Sequence, residues 1–387
     1  MRYQRYKELI GNLFLKKGSW LVLICFGIII KLGMFPVKLG DYNFYLEPWM
    51  NFIKTHGYTA SLKYDFYNYT PSYIYILIVL AKIGLNPLYS IKIVSVIFEY
   101  LVAFYVGKIV NLKYKNKLVF WISFAVIPLL PAVLLNGAFW GQCDSIYSAF
   151  VLGSIYYILK KKQFLAVLFL AIAVAFKIQA VFIFPFYFVM LLRGNVKWFY
   201  FSLIPLIYFI SILPPWLYGR SLSDLSTIYL SQSSYFKLLT LHFPNIYIWI
   251  SDNYYDTAKL IGIIFTFIFT LISGFWLAKK KHQFTFETWI ELAFLSVIIT
   301  PFILPGMHER YLYLGDIFAA LYFFIFKKNI HFSLGIILVS FYAYLCCSRL
   351  KDILPLAPGF IIYTLVIILA TKSFVTKLRN ESDETRI

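Results

Sequence analysis

Four clusters of polar side chains interrupt an otherwise apolar sequence, and their residue types suit acid–base chemistry beside cations. Asp41, Asp65 and Tyr69 belong to an interval, Asp41 to Tyr75, that sets three acids (Glu47 is the other) among eight tyrosines. The run Asn136-Gly137-Ala138-Phe139-Trp140-Gly141-Gln142-Cys143-Asp144 forms the second cluster. Lys177 with Gln179 forms another, and Met307-His308-Glu309-Arg310-Tyr311, behind Pro301 and Pro305, completes the set. A placed carboxylate can take a proton from a reacting group, an effect worth roughly 10²–10⁴ in rate. Lys177 and Arg310 can hold negative charge as it grows on a departing group. Plainer readings stand beside these. Tyrosine gathers at membrane interfaces in any case, Asp144 heads an apolar segment where an N-cap belongs, and Lys177 can snorkel along its own stem. Three ionisable residues in a row, His308 to Arg310, are costly to place in lipid, which argues against a pure packing role.

The elements that must position these clusters are membrane helices. The chain has 387 residues, 61% hydrophobic and 14% charged, with a mean hydropathy of +0.75, values foreign to a soluble domain. Its apolar runs are continuous rather than alternating, which favours helices over a transmembrane barrel. The sequence therefore reads as an all-α polytopic membrane protein of one domain, 1–387, with no internal repeat of 20–50 residues. A carboxylate at a bilayer centre costs about 2.5–3.5 kcal/mol, so the interval from Asp41 to Tyr75 must lie at or beyond the membrane surface. The cysteines Cys25, Cys143, Cys346 and Cys347 show no ligand spacing, so neither a zinc site nor a disulfide framework is implied. No nucleophilic triad or phosphate-binding glycine loop is present.

The first span is expected over Ser19 to Val37, an uncleaved segment with Lys31 snorkelling toward its outer end. Further spans follow at 88–107, 118–136, 145–159, 163–176, 180–192, 198–216, 258–278, 286–304, 311–326, 332–347 and 358–374, about 12 transmembrane helices in all. Pro71 to Gly84 is too short to cross, about 21 Å against a core of about 30 Å. It is expected to lie along the outer surface together with a short helix from Pro48, whose lipid-facing stripe would be Trp49, Phe52, Ile53 and His56, ended by Gly57. With the N-terminus inside, the inner segments carry 23 of the 36 Lys and Arg, and the net charge of +19 follows the positive-inside tendency rather than marking a nucleic-acid binder. Both termini are then cytoplasmic, and the four clusters face outward. Glu99 falls mid-span and needs a partner. The outer loop 217–257 adds Arg220, Tyr229, Gln232, His242 and Asn245.

These strings resemble a known superfamily. An aspartate after the first span, two juxtamembrane helices in the first outer loop and a second aspartate two spans later look like the GT-C glycosyltransferases, which use polyprenyl-phosphate sugars. Pro48-Trp49, Asn68-Tyr69-Thr70-Pro71, Trp140-Gly141-Gln142-Cys143-Asp144, Lys177-Ile178-Gln179 and Met307-His308-Glu309-Arg310-Tyr311 are similar to bacterial relatives of the PIG-V mannosyltransferases, which add the second mannose in GPI-anchor synthesis. The likeness runs from about residue 40 to 316.

The resemblance implies a multi-pass enzyme of the cell membrane, with its active site on the extracytoplasmic face. It implies transfer of a mannose-like sugar from a lipid phosphate to a glycan or glycolipid, with inversion. Asp41 matches the general base and Asp144 the second-loop acid. Asp65, Tyr69, Trp140, Gln142, Lys177, Gln179, His308, Glu309 and Arg310 would bind substrate, His308 and Glu309 by orienting Arg310 or the sugar. The first loop lacks a D-x-D or E-x-D pair, so no divalent metal and no cofactor is expected. A phosphate leaves as a stable anion, so one base with cations suffices where glycoside hydrolysis needs two carboxylates. The expected partners are the lipid-linked donor, the acceptor and membrane lipids, with no nucleic acid. The rivals are a flippase or carrier for lipid-linked glycans, which would be expected to show repeated halves with sites at the midplane, and a surface-polysaccharide polymerase.

Overall fold

A computed structural model describes residues 18–326, 329–348 and 353–384. The basic segment 1–17, Lys327, Lys328 and Asp352 lie outside the described residues, and with them part of the charge pattern on which the orientation was argued. What is described is almost wholly helical. In chain order the helices are α1 (Ser19–Met34), α2 (Glu47–His56), α3 (Pro71–Ile83), α4 (Pro87–Tyr114), α5 (Lys117–Val126), α6 (Asp144–Leu159), α7 (Gln163–Phe176) and α8 (Phe184–Leu192). After these come α9 (Leu203–Leu217), α10 (Leu222–Ser233), α11 (Tyr255–Ala278), α12 (Phe286–Ile303), α13 (Tyr313–Ile325), α14 (Ile330–Cys347) and α15 (Ala357–Glu384). A two-residue parallel ladder joins β1 (Thr240–Leu241) to β2 (Met307–His308).

Six helical stretches are individually long and apolar enough to cross a bilayer: Pro87–Tyr114, Trp198–Leu217, Asp252–Ala278, Phe286–Ile303, Ile330–Cys347 and Ala357–Glu381. Lys117–Leu129 and Pro131–Phe139, bent by 55°, make a seventh if they act as one span. The other expected spans are shorter apolar helices, Ser19–Met34, Asp144–Leu159, Gln163–Phe176, Ile178–Leu192 and Tyr313–Ile325. The fold is that of an all-α multi-pass membrane protein. α12 and α13 run through the centre, with Phe294, Val297, Ile298, Leu314, Ile317 and Phe318 out of contact with solvent. α11 instead turns Ile261, Ile264, Phe265, Phe267, Ile268 and Ile272 outward, an apolar face too large for water and suited to lipid.

Contacts sort the loops into two ends. At one end, Lys113 donates to Ile325 and pairs with Glu287 at 3.0 Å, Lys377 reaches Glu291 at 3.4 Å, and Arg193 donates to the carbonyls of Leu277, Lys280 and His282. Gln163 accepts from the Lys197 backbone there, so the described basic loops meet. All four polar clusters lie at the other end. α3 starts there, where Thr70 donates to the Phe176 carbonyl, and leads to the start of α4, where Lys92 donates to the carbonyls of Met34 and, in the second cluster, Phe139. Both ends of α3 are thus on one side of the bundle, in keeping with a helix that does not cross.

Two expectations are corrected. Lys31 does not snorkel: it is buried against Glu99 at 2.6 Å and is the partner that Glu99 requires. The buried stripe of α2 is Trp49, Met50 and Ile53, whereas His56 is exposed and stacks on Phe52. The cause is that Phe66 and Tyr64 fold back over α2 and give Phe52 and His56 aromatic neighbours of their own.

Candidate active site

Asp41 sits at the turn between α1 and α2, where the chain passes through one widened helical turn, Tyr42–Leu46. Lys92 of α4 holds this entry in place. Its ammonium donates to the carbonyls of Met34 (3.1 Å), Val37 (2.7 Å) and Phe139 (3.0 Å), so one buried cation ties the approach to Asp41 to the loop that carries Gln142. Three carbonyl dipoles are a suitable counter-environment for it, since unpaired they would be expensive to bury.

That second loop follows a break. Leu130 precedes Pro131 and is forced to extended backbone, which ends the helix and produces the bend. A widened turn, Leu134–Phe139, and Gly141 at φ 77° then return the chain so that the Gln142 amide donates to the Asn136 carbonyl at 2.9 Å. Gly141 is required by that left-handed backbone. Gly137 is required by space, because a Cβ there would stand 2.0 Å from Glu99 Oε1. The Gln142 carbonyl accepts from Ser95 at 2.7 Å. Its side-chain amide then bridges the site, with Nε2 donating to Asp41 Oδ2 and Oε1 accepting from the Tyr69 hydroxyl at 3.3 Å.

Lys177 occupies the extended residue between α7 and the 3-10 turn Ile178–Ile183. Its Nζ is 2.6 Å from Asp144 Oδ1 and 5.2 Å above the Tyr69 ring. Asn136 donates to Asp144 Oδ2 at 2.7 Å and to the Tyr344 hydroxyl at 3.1 Å. Asp144 is buried with both oxygens engaged, so it anchors Lys177 from behind. The fourth cluster enters through Gly306, whose amide donates to Leu239 at 2.7 Å, and through the ladder that pairs His308 with Leu241. Arg310 Nη1 lies 2.7 Å from Glu309 Oε1 and 3.7 Å from Asp41 Oδ2. His308 Nδ1 is 3.8 Å from Glu309 Oε2, with its ring against Phe236 and Tyr311.

The clusters surround one cavity of about 240 Å³. Of the residues singled out in the sequence, Asp41, Tyr69, Trp140, Gln142, Lys177, Gln179, His308, Glu309 and Arg310 line it. Asp144 stands behind the wall. Asp65 lies in an adjoining hollow, paired with Arg220. Sequence reasoning missed Tyr45, Asn68, Tyr235, Phe236, Leu241 and Cys347 as lining residues. Gln232 and His242 had been picked out only as polar residues of a long loop. That loop closes over the site: Gln232 donates to the Asn68 carbonyl, and Tyr229 to that of Val174.

The electrostatics leave fixed cations in the cavity. Burial alone would lower the Lys177 ammonium, but the Asp144 carboxylate outweighs it and holds Lys177 well above its usual value. Burial likewise opposes the Arg310 charge, while Glu309 and then Asp41 more than restore it. Glu309 would be raised by burial, yet Arg310 and His308 bring it down to about 2. His308 is lowered by burial despite Glu309 beside it, so its imidazole is neutral at pH 7. Among the described residues no three His, Cys, Asp or Glu side chains converge as metal ligands. Chemically the cavity offers one partly exposed carboxylate beside two charge-stabilised cations. No protein-family model and no curated protein matches the chain.

Proposed function

We propose that this protein is an inverting glycosyltransferase of GT-C type that moves a monosaccharide, mannose-like by the resemblance, from a polyprenyl-phosphate donor to a glycan or glycolipid acceptor. The observation that carries the reading is the meeting of Asp41, Lys177 and Arg310, far apart in sequence, around one cavity at the end of the bundle opposite the basic loops. In this scheme the acceptor hydroxyl oxygen attacks the anomeric carbon and its proton passes to Asp41. The bond from that carbon to the phosphate oxygen breaks, and the electron pair leaves with the phosphate. Lys177 and Arg310 hold the charge that develops there. Glu309 and Gln142 orient Arg310 and Asp41, and Asp144 is a positioning residue for Lys177. With the five shorter apolar helices also crossing, the chain spans the membrane twelve times, the termini are cytoplasmic, and α2 and α3 lie flat at the outer surface.

The test is to give the purified full chain in nanodiscs a panel of polyprenyl-phosphate monosaccharides together with a glycolipid extract as acceptor and follow consumption of each donor. One donor should be consumed, yielding a product of inverted anomeric configuration. Passage of a lipid-linked glycan across liposomes with no transfer product would replace the reading with a carrier, and transfer of whole blocks of sugars would replace it with a polymerase.

A further inference from the structure

At the basic end of the bundle, α6 and α7 are joined by a turn made only of lysines, Lys160, Lys161 and Lys162. Backbone amides close it on α6 carbonyls: Lys160 on Tyr156 at 3.1 Å, Lys161 on Ile158 and Lys162 on Tyr157, both at 2.9 Å. The turn therefore needs none of the three side chains. Lys161 stands at φ 59°, a left-handed backbone in which glycine is the cheaper residue. Lys197 joins the group, since its amide donates to Gln163 Oε1, next in sequence to Lys162, at 3.1 Å. All four lysines are exposed, and none makes an ion pair among the described residues. The stretch from Ser145 to Ser223 contains no Asp or Glu, whereas Lys113 and Lys377 at the same end have Glu287 and Glu291. Like charges gathered without a counter-ion favour an anion from outside the chain.

The neighbouring rings identify the kind of anion. Trp198, 76% exposed, follows Lys197 and opens Trp198–Leu217, one of the stretches long and apolar enough to cross a bilayer. Phe164, 49% exposed, follows the lysine turn, and its ring lies 6.1 Å from that of Tyr200. Rings from both segments thus form one apolar margin beside the cations. An indole so open to water is expensive, and at the end of a crossing helix it belongs at the level of the lipid headgroups. Cations and rings together match the two halves of one partner, a phosphate of net negative charge and the acyl chains attached to it. A free phosphate would use only the cations, and a zwitterionic headgroup would set its own positive charge against the lysines. We infer that this face binds an anionic phospholipid, with its phosphate among Lys160, Lys161, Lys162 and Lys197 and its acyl chains against Trp198 and Phe164. The site is distinct from the cavity around Asp41 and does not depend on the transferase reading.

The test uses the full chain in phosphatidylcholine nanodiscs in which a rising share of the lipid is brominated in its acyl chains, either as phosphatidylglycerol or as phosphatidylcholine. Bromine quenches indole fluorescence, and the part due to Trp198 is the difference between the parent and Trp198→Phe. Brominated phosphatidylglycerol should half-quench that part at a share at least about fivefold below the share of brominated phosphatidylcholine needed. Lys161→Gln combined with Lys197→Gln should remove the preference. Lys279→Gln combined with Lys281→Gln, which takes the same charge from another loop of the same end, should retain it. Four outcomes would each overturn the inference: equal quenching by the two lipids, a preference that survives the loss of Lys161 and Lys197, a preference lost equally in the Lys279 and Lys281 variant, or one abolished by inorganic phosphate at constant ionic strength.

Discussion

At Asp41 both of the contacts described fall on Oδ2, from Gln142 and at 3.7 Å from Arg310, and the side chain keeps 26% of its surface exposed. Oδ1 makes no hydrogen bond among the described residues and is the atom open to a substrate proton. Asp144 differs in each respect, being buried with both oxygens bound. The two aspartates, indistinguishable by type, take different roles through their surroundings. Glu309 adds a pH dependence whose sign can be worked out. Its folded value of about 2 lies below the ordinary carboxylate value of 4.5. Its ion pair with Arg310 therefore stabilises the fold fully above the unfolded value, and that contribution is lost as pH falls toward about 2. The difference in melting temperature between the parent and Glu309→Gln should be constant from pH 8 to about 6 and shrink below about 4.5. A difference that instead changes between pH 8 and 6 would contradict the pairing.

Among the elements, the entry turn to α2 and the 131–143 loop matter most, and neither is stable by helix propensity alone. Lys92 is their common anchor. Lys92→Met should leave the Val37 and Phe139 carbonyls without their described donor, at about 1–3 kcal/mol each, and loosen both segments, detectable as faster amide exchange over residues 35–41 and 139–142 with α12 and α13 unchanged. Uniform exchange across all of these would refute the anchoring role. Lys92 carried no signal in the sequence, since a lysine within an apolar run looks like any snorkelling residue. Glu99 did stand out as a mid-span acid in need of a partner, but its pairing with Lys31 spans 68 positions that no local pattern relates. What was legible were residues that lipid penalises: Asp41, Gln142, Lys177 and His308 to Arg310 stood out because each is expensive within an apolar chain, and all line the cavity. Asp65 stood out for the same reason and belongs to the neighbouring hollow, a distinction that depends on where the distant Arg220 falls.

For the whole molecule, the positions of the helices read well because apolar runs of this length have few alternatives, whereas the closing of loop 217–257 over the site depends on tertiary contacts. The two ends of the bundle differ in charge, and the proposed orientation places the basic end in the cytoplasm. A membrane-impermeant maleimide should label Asn253→Cys in intact cells and Lys281→Cys only after permeabilisation; the reverse pattern would invert the orientation. The central claim, that Asp41 is the proton acceptor in sugar transfer beside Lys177 and Arg310, is tested most directly by comparing Asp41→Asn with the parent chain on the donor that the parent consumes. Transfer should fall by at least about 10²-fold with membrane insertion and melting temperature unchanged. An Asp41→Asn protein that transfers sugar at the parental rate would contradict the account.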